Sequence, residues 1–322
     1  MSYLKNDDCF EAFKEIKDKT VDFVCVDLPY GQTDCKWDSA IDLKKMWVDL
    51  KRICKEDCIY AFFCTVKFGN SLINSNPKWF RYDIVWEKST AVGFLSANKM
   101  PLRKHEMIYI FSYNNNADLE NSRNLELREY AGKVKKYIGL SLKALNKELG
   151  HQGIDHFYYI KSTQFGLPTE KTYNELIEHF NIDNMEGFMD YDTMKSKWSG
   201  LLFTYNPQKT KGKPYKTKGG YLKNESVYGE KYIPAKDNKT GDRHPTSILK
   251  FNHDKEKLHR TQKPVLLCEW LIKTYSNEND LVLDFTMGSG SCIVACKNTG
   301  RRYIGIEKDE KIFDIAQKRI LK

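Results

Sequence analysis

Long apolar runs are missing from this chain of 322 residues. None approaches the roughly 20 consecutive apolar residues that a membrane-spanning helix needs. The first eight residues are polar and acidic, unlike the apolar core of a secretory signal peptide. With 41% hydrophobic and 30% charged residues, the composition is that of a soluble globular protein. We therefore expect a cytoplasmic protein that does not enter a membrane.

Metal-ligand spacing is also missing. The nine cysteines include no Cys or His pair at the spacing of a zinc site. Cys54 and Cys58, like Cys292 and Cys296, lie four residues apart on predicted helices. We expect these thiols to be small packing residues in a reducing compartment, and we predict no metal site.

Acidic residues are scarce in one part of the chain. The whole sequence has 52 Lys and Arg against 43 Asp and Glu, a net charge of +9. Residues 195–245 hold twelve of the basic residues and only four acidic ones, so nearly all the excess lies there. A polyanionic partner would explain this asymmetry. A solvated lysine-rich loop would explain it equally well, and the charge alone leaves both open.

Strand and helix patterns alternate at both ends of the chain. Short runs of β-forming residues predict strands, and apolar residues at helical spacing predict the helices between them. The predicted strands are 21–26, 59–64, 83–86, 107–113, 281–284 and 303–307, and the predicted helices are 42–54, 265–275, 291–298 and 309–320. This alternation predicts an α/β fold with a mostly parallel sheet and helices on both sides.

The alternation stops between about residues 114 and 244. One basic helix is predicted at Lys133–Leu149, and another begins near Thr169, a residue type that caps helices. Beyond Lys195 the chain is rich in Lys, Gly, Tyr and Pro without a clear period. We therefore divide the chain into 1–113, an inserted region 114–244 that carries a recognition surface, and 245–322.

A glycine-rich turn follows the predicted strand 281–284. Residues Gly288–Gly290 stand between this strand and a helix, where glycines allow close approach of a ligand and the helix offers free N–H groups. A dinucleotide fingerprint would place its third glycine at Ile293, so NAD and FAD are disfavoured. The next strand ends in Glu307, whose carboxylate could accept both hydroxyl groups of a ribose.

The tetrapeptide Asp27-Leu28-Pro29-Tyr30 follows the predicted strand 21–26. It should therefore lie at the carboxyl end of that strand. An acid, a rigid proline and an aromatic ring at this place can hold and activate a flat ring that bears an amine. Such a string alone is most often a turn, but the strand before it and the glycine-rich turn later in the chain make it informative.

Together the two motifs resemble the signatures of the S-adenosylmethionine-dependent DNA amino-methyltransferases, which modify the exocyclic nitrogen of a base. That family usually has Asp/Asn/Ser-Pro-Pro-Tyr/Phe at the first motif and Asp-Pro-Phe-x-Gly-Ser-Gly at the second. Here Leu28 replaces one proline, and Phe285 and Thr286 replace the Pro-Phe pair. The catalytic motif precedes the cofactor motif, as in the class called beta. The resemblance therefore implies a Rossmann-like, circularly permuted fold, with seven mostly parallel strands and an inserted target-recognition region.

The resemblance also implies catalytic roles for the tetrapeptide. The Asp27 carboxylate and the Leu28 carbonyl would each accept one N–H of the base amine, which aims the nitrogen lone pair at the methyl group. Pro29 would fix the direction of that carbonyl, and Tyr30 would stack on a base swung out of the duplex.

A cofactor site is implied in the same way. The segment His259–Pro264 resembles a family segment before a helix at the methionine end of the cofactor, with Arg260 in place of a proline. The residues implied for S-adenosylmethionine are Asp8, Cys9, Thr261, Lys263, Asp284, Thr286, Gly288, Ser289, Gly290 and Glu307. A helix N-cap explains Asp8 equally well and is compatible with the first role. We expect His105 to be buried against backbone groups rather than to act as a general base.

The sequence thus predicts a site-specific DNA adenine-N6 methyltransferase that acts on duplex DNA in a bacterial or phage-infected cell. Asp27 favours adenine, because Ser is typical of the family's cytosine-N4 enzymes at this place. The alternatives are cytosine N4, an RNA or protein substrate, and an inactive DNA-binding relative.

DNA contacts are expected in the inserted region. Lys161 and Gln164 are candidates for reading base edges. Lysines that would neutralise phosphates are Lys209, Lys211, Lys213, Lys216 and Lys218. A homodimer and a cognate restriction endonuclease are further partners that the resemblance allows.

Overall fold

The protein is described here by a computed structural model. It describes residues 2–30, 41–113, 124–162, 164–198, 204–221, 232–233, 235–259 and 261–321. Two compact units are present: residues 1–113 together with 203–322 form the first, and residues 114–202 form the second. No helix in the described part of the chain is long and apolar enough to cross a membrane.

The first unit is built around a sheet of eight strands. Its strands are β1 (Tyr3–Asn6), β2 (Val21–Asp27), β3 (Cys54–Cys64), β4 (Phe80–Val92), β5 (Arg103–Ser112), β10 (Ile248–Phe251), β11 (Leu281–Asp284) and β12 (Arg302–Glu307). Four shorter strands, β6 (Tyr215–Thr217), β7 (Gly220–Tyr221), β8 (Tyr232–Ile233) and β9 (Lys236–Asn238), form the two-stranded pairs β6–β9 and β7–β8. The order in the large sheet is β1-β12-β11-β2-β3-β5-β4-β10.

Seven of the eight strands run parallel, and β5 runs in the opposite direction to both of its neighbours. The mostly parallel α/β fold predicted from the sequence is confirmed, with eight strands where seven were expected. Two strands of this sheet have no sequence prediction: β1, in which no residue is fully buried, and β10, in which only Leu249 is buried and Lys250 is exposed. One buried side chain in four residues is too little for a periodic signal.

Helices cover both faces of the sheet. Those of the first unit are α1 (Cys9–Phe13), α2 (Leu43–Ile53), α3 (Val66–Ser75), α9 (Val265–Tyr275), α10 (Ser291–Asn298) and α11 (Glu310–Leu321). Alternate residues of β2 serve opposite faces: Val24 and Val26 pack in the core that includes α2, while Phe23 and Cys25 pack in the core that includes α9. Burial on both faces explains the continuous apolar character of β2.

Two of the predicted cysteine positions were wrong. Helix α2 ends at Ile53, and both Cys54 and Cys58 lie on β3, where their side chains are buried. The pair Cys292 and Cys296 lies on α10 as expected. The eight cysteines among the described residues carry free thiols, seven of them buried. They are packing residues, as the sequence predicted.

The two ends of the chain meet inside one sheet. Strand β1 pairs in parallel with β12, so that Asn6 lies opposite Glu307. Strand β11 pairs in parallel with β2, so that Leu283 lies opposite Val24. The carboxyl ends of β1, β12, β11 and β2 therefore lie side by side along one edge. This edge carries the motifs from both ends of the sequence.

The second unit consists of helices around its own apolar core. They are α4 (Leu125–Ile138), α5 (Leu142–Leu149), α6 (Asp155–Tyr158), α7 (Glu170–Phe180) and α8 (Tyr191–Lys197). The single helix predicted at 133–149 is instead two helices, because Gly139 takes a left-handed conformation and ends α4. Thr169 caps α7 as predicted, accepting a bond from the N–H of Thr172 at 3.2 Å.

Candidate active site

A cavity of about 1090 Å³ opens at the carboxyl edge of the sheet in the first unit. The whole tetrapeptide Asp27–Tyr30 lines it. Nine of the ten residues predicted for the cofactor also line it: Asp8, Cys9, Thr261, Lys263, Asp284, Thr286, Gly288, Ser289 and Glu307. The tenth, Gly290, is the N-cap of α10 with a left-handed backbone, and it lies in close contact with α11. The fold therefore brings the two motifs into one cavity.

Asp27 is the last residue of β2 and both of its carboxylate oxygens have partners. Oδ1 accepts a hydrogen bond from the Tyr30 hydroxyl at 2.6 Å, and Oδ2 accepts one from Lys263 Nζ at 2.5 Å. Burial raises the pKa of Asp27, the Lys263 ammonium opposes that rise, and the nearby Glu106 carboxylate adds to it. A carboxylate has about four acceptor positions, so Asp27 can still accept further N–H groups.

Lys263 joins Asp27 to a second carboxylate that the sequence did not single out. Its Nζ lies 2.9 Å from Glu106 Oε1, and the side chain is only 10% exposed. Glu106 Oε2 in turn pairs with Lys88 at 2.7 Å. Burial alone would raise the pKa of Glu106, but Lys263 and Lys88 outweigh it and lower that pKa. Asp27, Lys263, Glu106 and Lys88 thus form a chain of alternating charges, which we call the charge chain.

The rest of the tetrapeptide is fixed by packing. Leu28 is buried in the core, and the Tyr30 ring lies 5.1 Å from the ring of Phe68. Burial and the Asp27 carboxylate both raise the pKa of Tyr30, so its hydroxyl is a proton-bearing donor to Asp27. The Thr286 hydroxyl donates to the Asp27 carbonyl at 2.9 Å. The glycine-rich turn therefore holds the backbone of the tetrapeptide directly, through Thr286, which departs from the pattern of the resembling family.

The glycine-rich turn is closed by the acid at the end of β12. Glu307 Oε2 accepts from the N–H of Gly288 at 3.0 Å, and Oε1 accepts from the N–H of Asp309 at 2.9 Å. Burial raises the pKa of Glu307, and these two N–H bonds oppose the rise. Gly288 has a φ of +51°, and a side chain there would meet no protein atom within 4 Å. The turn thus presents bare backbone to the cavity, as a ligand that approaches closely requires.

Asp8 fills the helix-cap role that the sequence left open. Its Oδ1 accepts from the N–H of Phe10 at 3.0 Å at the start of α1, and Oδ2 pairs with Lys308 at 3.1 Å. Burial alone would raise the pKa of Asp8, but Lys308 and the Phe10 N–H lower it. Because Asp8 also lines the cavity, the cap is compatible with a ligand contact. Burial raises the pKa of the neighbouring Cys9 to about 12, so this thiol stays neutral.

Arg319 on α11 was not predicted from the sequence, and it connects the glycine-rich turn with the start of α9. Its guanidinium donates to the Ser289 carbonyl at 3.1 Å and to the Ser291 hydroxyl at 3.0 Å. The same group pairs with Asp254 Oδ2 at 2.9 Å. Asp254 Oδ1 accepts from the N–H of Val265, the first residue of α9. Arg319 therefore fixes the glycine-rich turn against the start of α9, a role that no local sequence pattern signals.

One predicted position in this region was wrong. His105 is exposed on β5 and lines the cavity, because β4 and β5 extend beyond the buried part of the sheet. Arg260 lies outside the described residues. No cluster of potential metal ligands occurs in the described ranges.

The predicted phosphate-binding lysines are all exposed. Lys211 pairs with Asp242 at 2.9 Å, and Lys216 pairs with Asp237 at 3.0 Å, so we call these two the paired strip lysines. The other three make no ion pair with any residue that the structure describes, and we call them the unpaired strip lysines: Lys209, Lys213 and Lys218. Arg243 lies over the Tyr215 ring at 4.4 Å and donates to the Lys213 carbonyl. Arg243 therefore holds the backbone of the segment that carries these lysines, which we call the strip, and the lysine side chains are exposed to solvent.

In the second unit, Lys161 and Gln164 line a groove of about 570 Å³. Lys135 also lines the groove, with Nζ 5.5 Å from the centre of the Tyr158 ring. The Tyr158 hydroxyl is buried and has no hydrogen-bond partner among the described residues. Two lysines and one amide therefore make this groove rich in hydrogen-bond donors.

Comparison with known proteins identifies the family of the chain. A model of the family described as DNA methylase (N6/N4) matches residues 21–318. The type II methyltransferase M.HinfI of Haemophilus influenzae is 45% identical over 65 residues, 20% of this chain and 18% of that protein. The type II methyltransferase M2.LlaDCHI of Lactococcus lactis subsp. cremoris is 28% identical over 165 residues, 51% of this chain and 44% of that protein. The matched stretches thus span less than half of either relative.

A solved structure supports the fold. The structure titled PvuII DNA methyltransferase (cytosine-N4-specific) has a TM-score of 0.50 at 10% identity, over 99% of this chain and 86% of that one. At this identity the likeness concerns the fold alone. The family match covers nearly the whole chain, and it coincides with a cavity that unites the two motifs. The chain belongs to the N6/N4 DNA methylase family.

Proposed function

We propose that this protein transfers a methyl group from S-adenosylmethionine to the exocyclic amine of a base in duplex DNA, and that the base is adenine. The observation that carries the proposal is the position of the Asp27 carboxylate. Its carboxylate lies at the end of β2, in the same cavity as the glycine-rich turn, with Lys263 at 2.5 Å favouring its ionised form. An ionised carboxylate only accepts hydrogen bonds, which is what an amine nucleophile requires.

The chemistry assigned to the chain's own residues is positioning. The lone pair of an exocyclic amine is delocalised into the base ring, so the nitrogen is a poor nucleophile. The free acceptor positions of Asp27 and the Leu28 carbonyl would each take one N–H, which directs the lone pair away from the ring plane. The Tyr30 ring would hold the base by stacking. Because Tyr30 and Lys263 already fix the carboxylate, little reorganisation is needed when the amine arrives.

The cavity fits S-adenosylmethionine together with a base. Its volume of about 1090 Å³ lies just above the range for a single drug-sized ligand, roughly 300–1,000 Å³. Glu307 would accept the ribose hydroxyl groups, and the backbone at Gly288 would lie against the cofactor. Asp8 and Thr261 would complete the site. When bound, the cofactor supplies an electrophilic methyl group on a sulfonium centre.

Adenine N6 is the finer part of the proposal. Its support is the acid in the first place of the tetrapeptide, which in the resembling family goes with adenine more often than with cytosine. The PvuII DNA methyltransferase, whose fold is similar, is described as cytosine-N4-specific. Cytosine N4 is therefore the alternative that the experiment must distinguish from adenine N6. A homodimer and an accompanying endonuclease remain predictions.

Two surfaces support duplex DNA as the substrate. The unpaired strip lysines present charge that is not neutralised by the described part of the protein, as phosphate contacts need. In the second unit, the groove that contains Lys161 and Gln164 offers donors that match the acceptor-rich edge of guanine, and the amide can bind adenine through two bonds.

The test is methylation of DNA followed by identification of the product. The purified protein is incubated with S-adenosylmethionine and unmethylated bacterial DNA, and the digested nucleosides are analysed by mass spectrometry. The proposal expects N6-methyladenine. N4-methylcytosine would overturn the choice of base and keep the rest. No methylated nucleoside from any DNA would overturn the proposed activity.

A further inference from the structure

A two-stranded ribbon projects from the sheet beside the cavity. Strand β4 runs parallel to β2, so its carboxyl end lies at the same edge as Asp27. In the register of the sheet, Asp27 of β2 lies opposite Phe63 of β3, and Phe63 lies opposite Ile108 of β5. Ile108 is level with Ile84 of β4. From there the ribbon continues to Val92 of β4, which pairs with Arg103 of β5 after a shift in register between Glu87 and Val92. Arg103 stands five residues before Ile108, so at about 3.3 Å per residue the paired ribbon extends roughly 17 Å beyond that level.

The tip of this ribbon exposes large apolar side chains. Phe94 is 77% exposed, Leu95 87% and Met100 61%. Val92 and Leu102 flank them and are also exposed. Single exposed apolar residues are normal on a protein surface, but five within eleven residues form a patch that calls for a partner.

The tip has a defined backbone conformation. Gly93 is left-handed, with a φ of +92°, and a 3-10 turn at Phe94–Ser96 follows it. The N–H of Ser96 donates to the Gly93 carbonyl at 2.9 Å, and the N–H of Lys99 donates to the Ser96 carbonyl at 2.9 Å. Internal hydrogen bonds therefore shape the turn without burying its apolar side chains. The apolar side chains are therefore exposed on a turn with a defined backbone conformation.

The charge around the tip selects the kind of partner. No acidic residue occurs between Lys88 and His105. Lys99 and Arg103 make no ion pair with any residue in the described ranges, so both cations are available to a ligand. Val92 and Arg103 also line the cavity. An apolar tip whose own segment carries only positive charge, next to a site for a base, fits duplex DNA, which has anionic phosphates outside and an apolar base stack inside.

We propose that the hairpin tip, residues 93–102, enters duplex DNA beside the target base, where Phe94 and Leu95 fill the space that the base leaves. This inference rests on the proposed function. A base that swings out of the duplex loses its stacking, and an apolar side chain that wedges into the stack replaces part of that stacking. A two-stranded ribbon is narrow enough to enter the major groove. Lys99 and Arg103 then contact the phosphates on either side.

The test compares paired and unpaired target bases. The methylated site is first located by sequencing genomic DNA that the wild-type protein has modified. Two oligonucleotide duplexes then carry that site, one fully paired and one with an abasic position opposite the target base. The wedge variant is Phe94→Ser/Leu95→Ser, which removes both apolar groups from exposed positions. The first control, Phe94→Leu/Leu95→Phe, keeps the apolar bulk, and the second, Val48→Ser, removes an apolar group that is 70% exposed on α2.

The wedge variant should lose roughly tenfold or more in kcat/KM on the paired duplex, because the missing stacking interaction costs at least about one factor of ten. On the duplex with the abasic position it should stay within about twofold of wild type, because little pairing is left to break. Both controls should behave as wild type on both duplexes.

Three results would overturn the inference. An unchanged rate on the paired duplex would mean that the tip does not assist base extrusion. An equal loss on both duplexes would assign the tip to general DNA binding. A wild-type dimer that the wedge variant splits into monomers, measured by light scattering, would assign the patch to a second copy of the chain. If the wild-type protein methylates no DNA at all, the proposed function itself fails.

Discussion

The substitution Lys263→Met tests whether Lys263 controls the ionisation of Asp27 or only stabilises the structure through an ion pair. It keeps the length of the side chain and removes the ammonium that lies 2.5 Å from Asp27 and 2.9 Å from Glu106. Glu106 retains Lys88 at 2.7 Å. Among the described residues, the Asp27 carboxylate retains only the neutral Tyr30 hydroxyl as a partner. Asp27, whose side chain is 24% exposed, is therefore the carboxylate that loses its cation within the described part of the chain.

The size of the effect follows from the cost of an unpaired buried charge. Removing one member of a buried ion pair costs about 3–5 kcal/mol. At 1.36 kcal/mol per pKa unit, the lower figure raises the pKa of Asp27 by about two further units. In the proposed mechanism Asp27 accepts the amine only when it is ionised, so activity is present above its pKa and is lost as the pH falls through it. The acidic limb of the pH profile should therefore move upward by about two pH units.

The assay is kcat/KM for DNA methylation measured across pH. The variant should lose activity at a higher pH than wild type does, and it should recover toward wild type as the pH rises. Lys263→Arg, which keeps the charge, is the matched control and should leave the acidic limb close to its original place. A loss that is the same at every pH would refute the reasoning, because it would mean that Lys263 does not act through the ionisation of Asp27.

Three further predictions concern the supports of the site and the DNA surface. Thr286→Val removes the bond to the Asp27 carbonyl, and the loss of about 1 kcal/mol should lower kcat roughly fivefold in steady-state assays; an unchanged kcat would remove Thr286 from the account. Arg319→Met frees the glycine-rich turn from α9, and calorimetry should show a Kd for S-adenosylmethionine at least roughly tenfold higher; an unchanged Kd would contradict this. Changing the unpaired strip lysines to Gln should reduce the slope of log K against log salt for DNA by about 0.9 for each phosphate that is no longer neutralised. The same change in the paired strip lysines should have less effect, and equal effects would show that their ion pairs open on binding.

The elements that carry the motifs could be predicted from sequence because their signals are local. Helices α9 and α10 begin and end as predicted, and β2 ends at Asp27, directly before the rest of the tetrapeptide. Strand β2 is buried on both faces, so its run of apolar residues is continuous. Pro29, two residues after the last residue of the strand, indicates where the strand ends. The glycine-rich turn also has a local signal, because a left-handed backbone conformation such as that of Gly288 favours glycine, which can be seen in the sequence.

The contacts that hold Asp27 could not be predicted, because they join distant parts of the chain. Lys263 reaches Asp27 from 236 residues away. The resemblance assigned Lys263 to the cofactor, and only the fold reveals its position between two carboxylates. Glu106 enters the cavity because β5 is reversed and follows a hairpin. Residue spacing alone does not indicate that direction. The split of the predicted helix 133–149 at Gly139 has a local cause, but one glycine within a basic helical pattern is tolerated too often to decide it.

The most direct test of the central claim is methyl transfer by the wild-type protein and by Asp27→Ala, which removes the carboxylate that would accept the base amine. Both proteins are given S-adenosylmethionine with a labelled methyl group and unmethylated DNA, and binding of the cofactor to each is measured in parallel. Label should enter the DNA with the wild-type protein alone, while both proteins bind the cofactor with similar affinity. Label in DNA treated with Asp27→Ala at a rate near that of wild type would contradict the account.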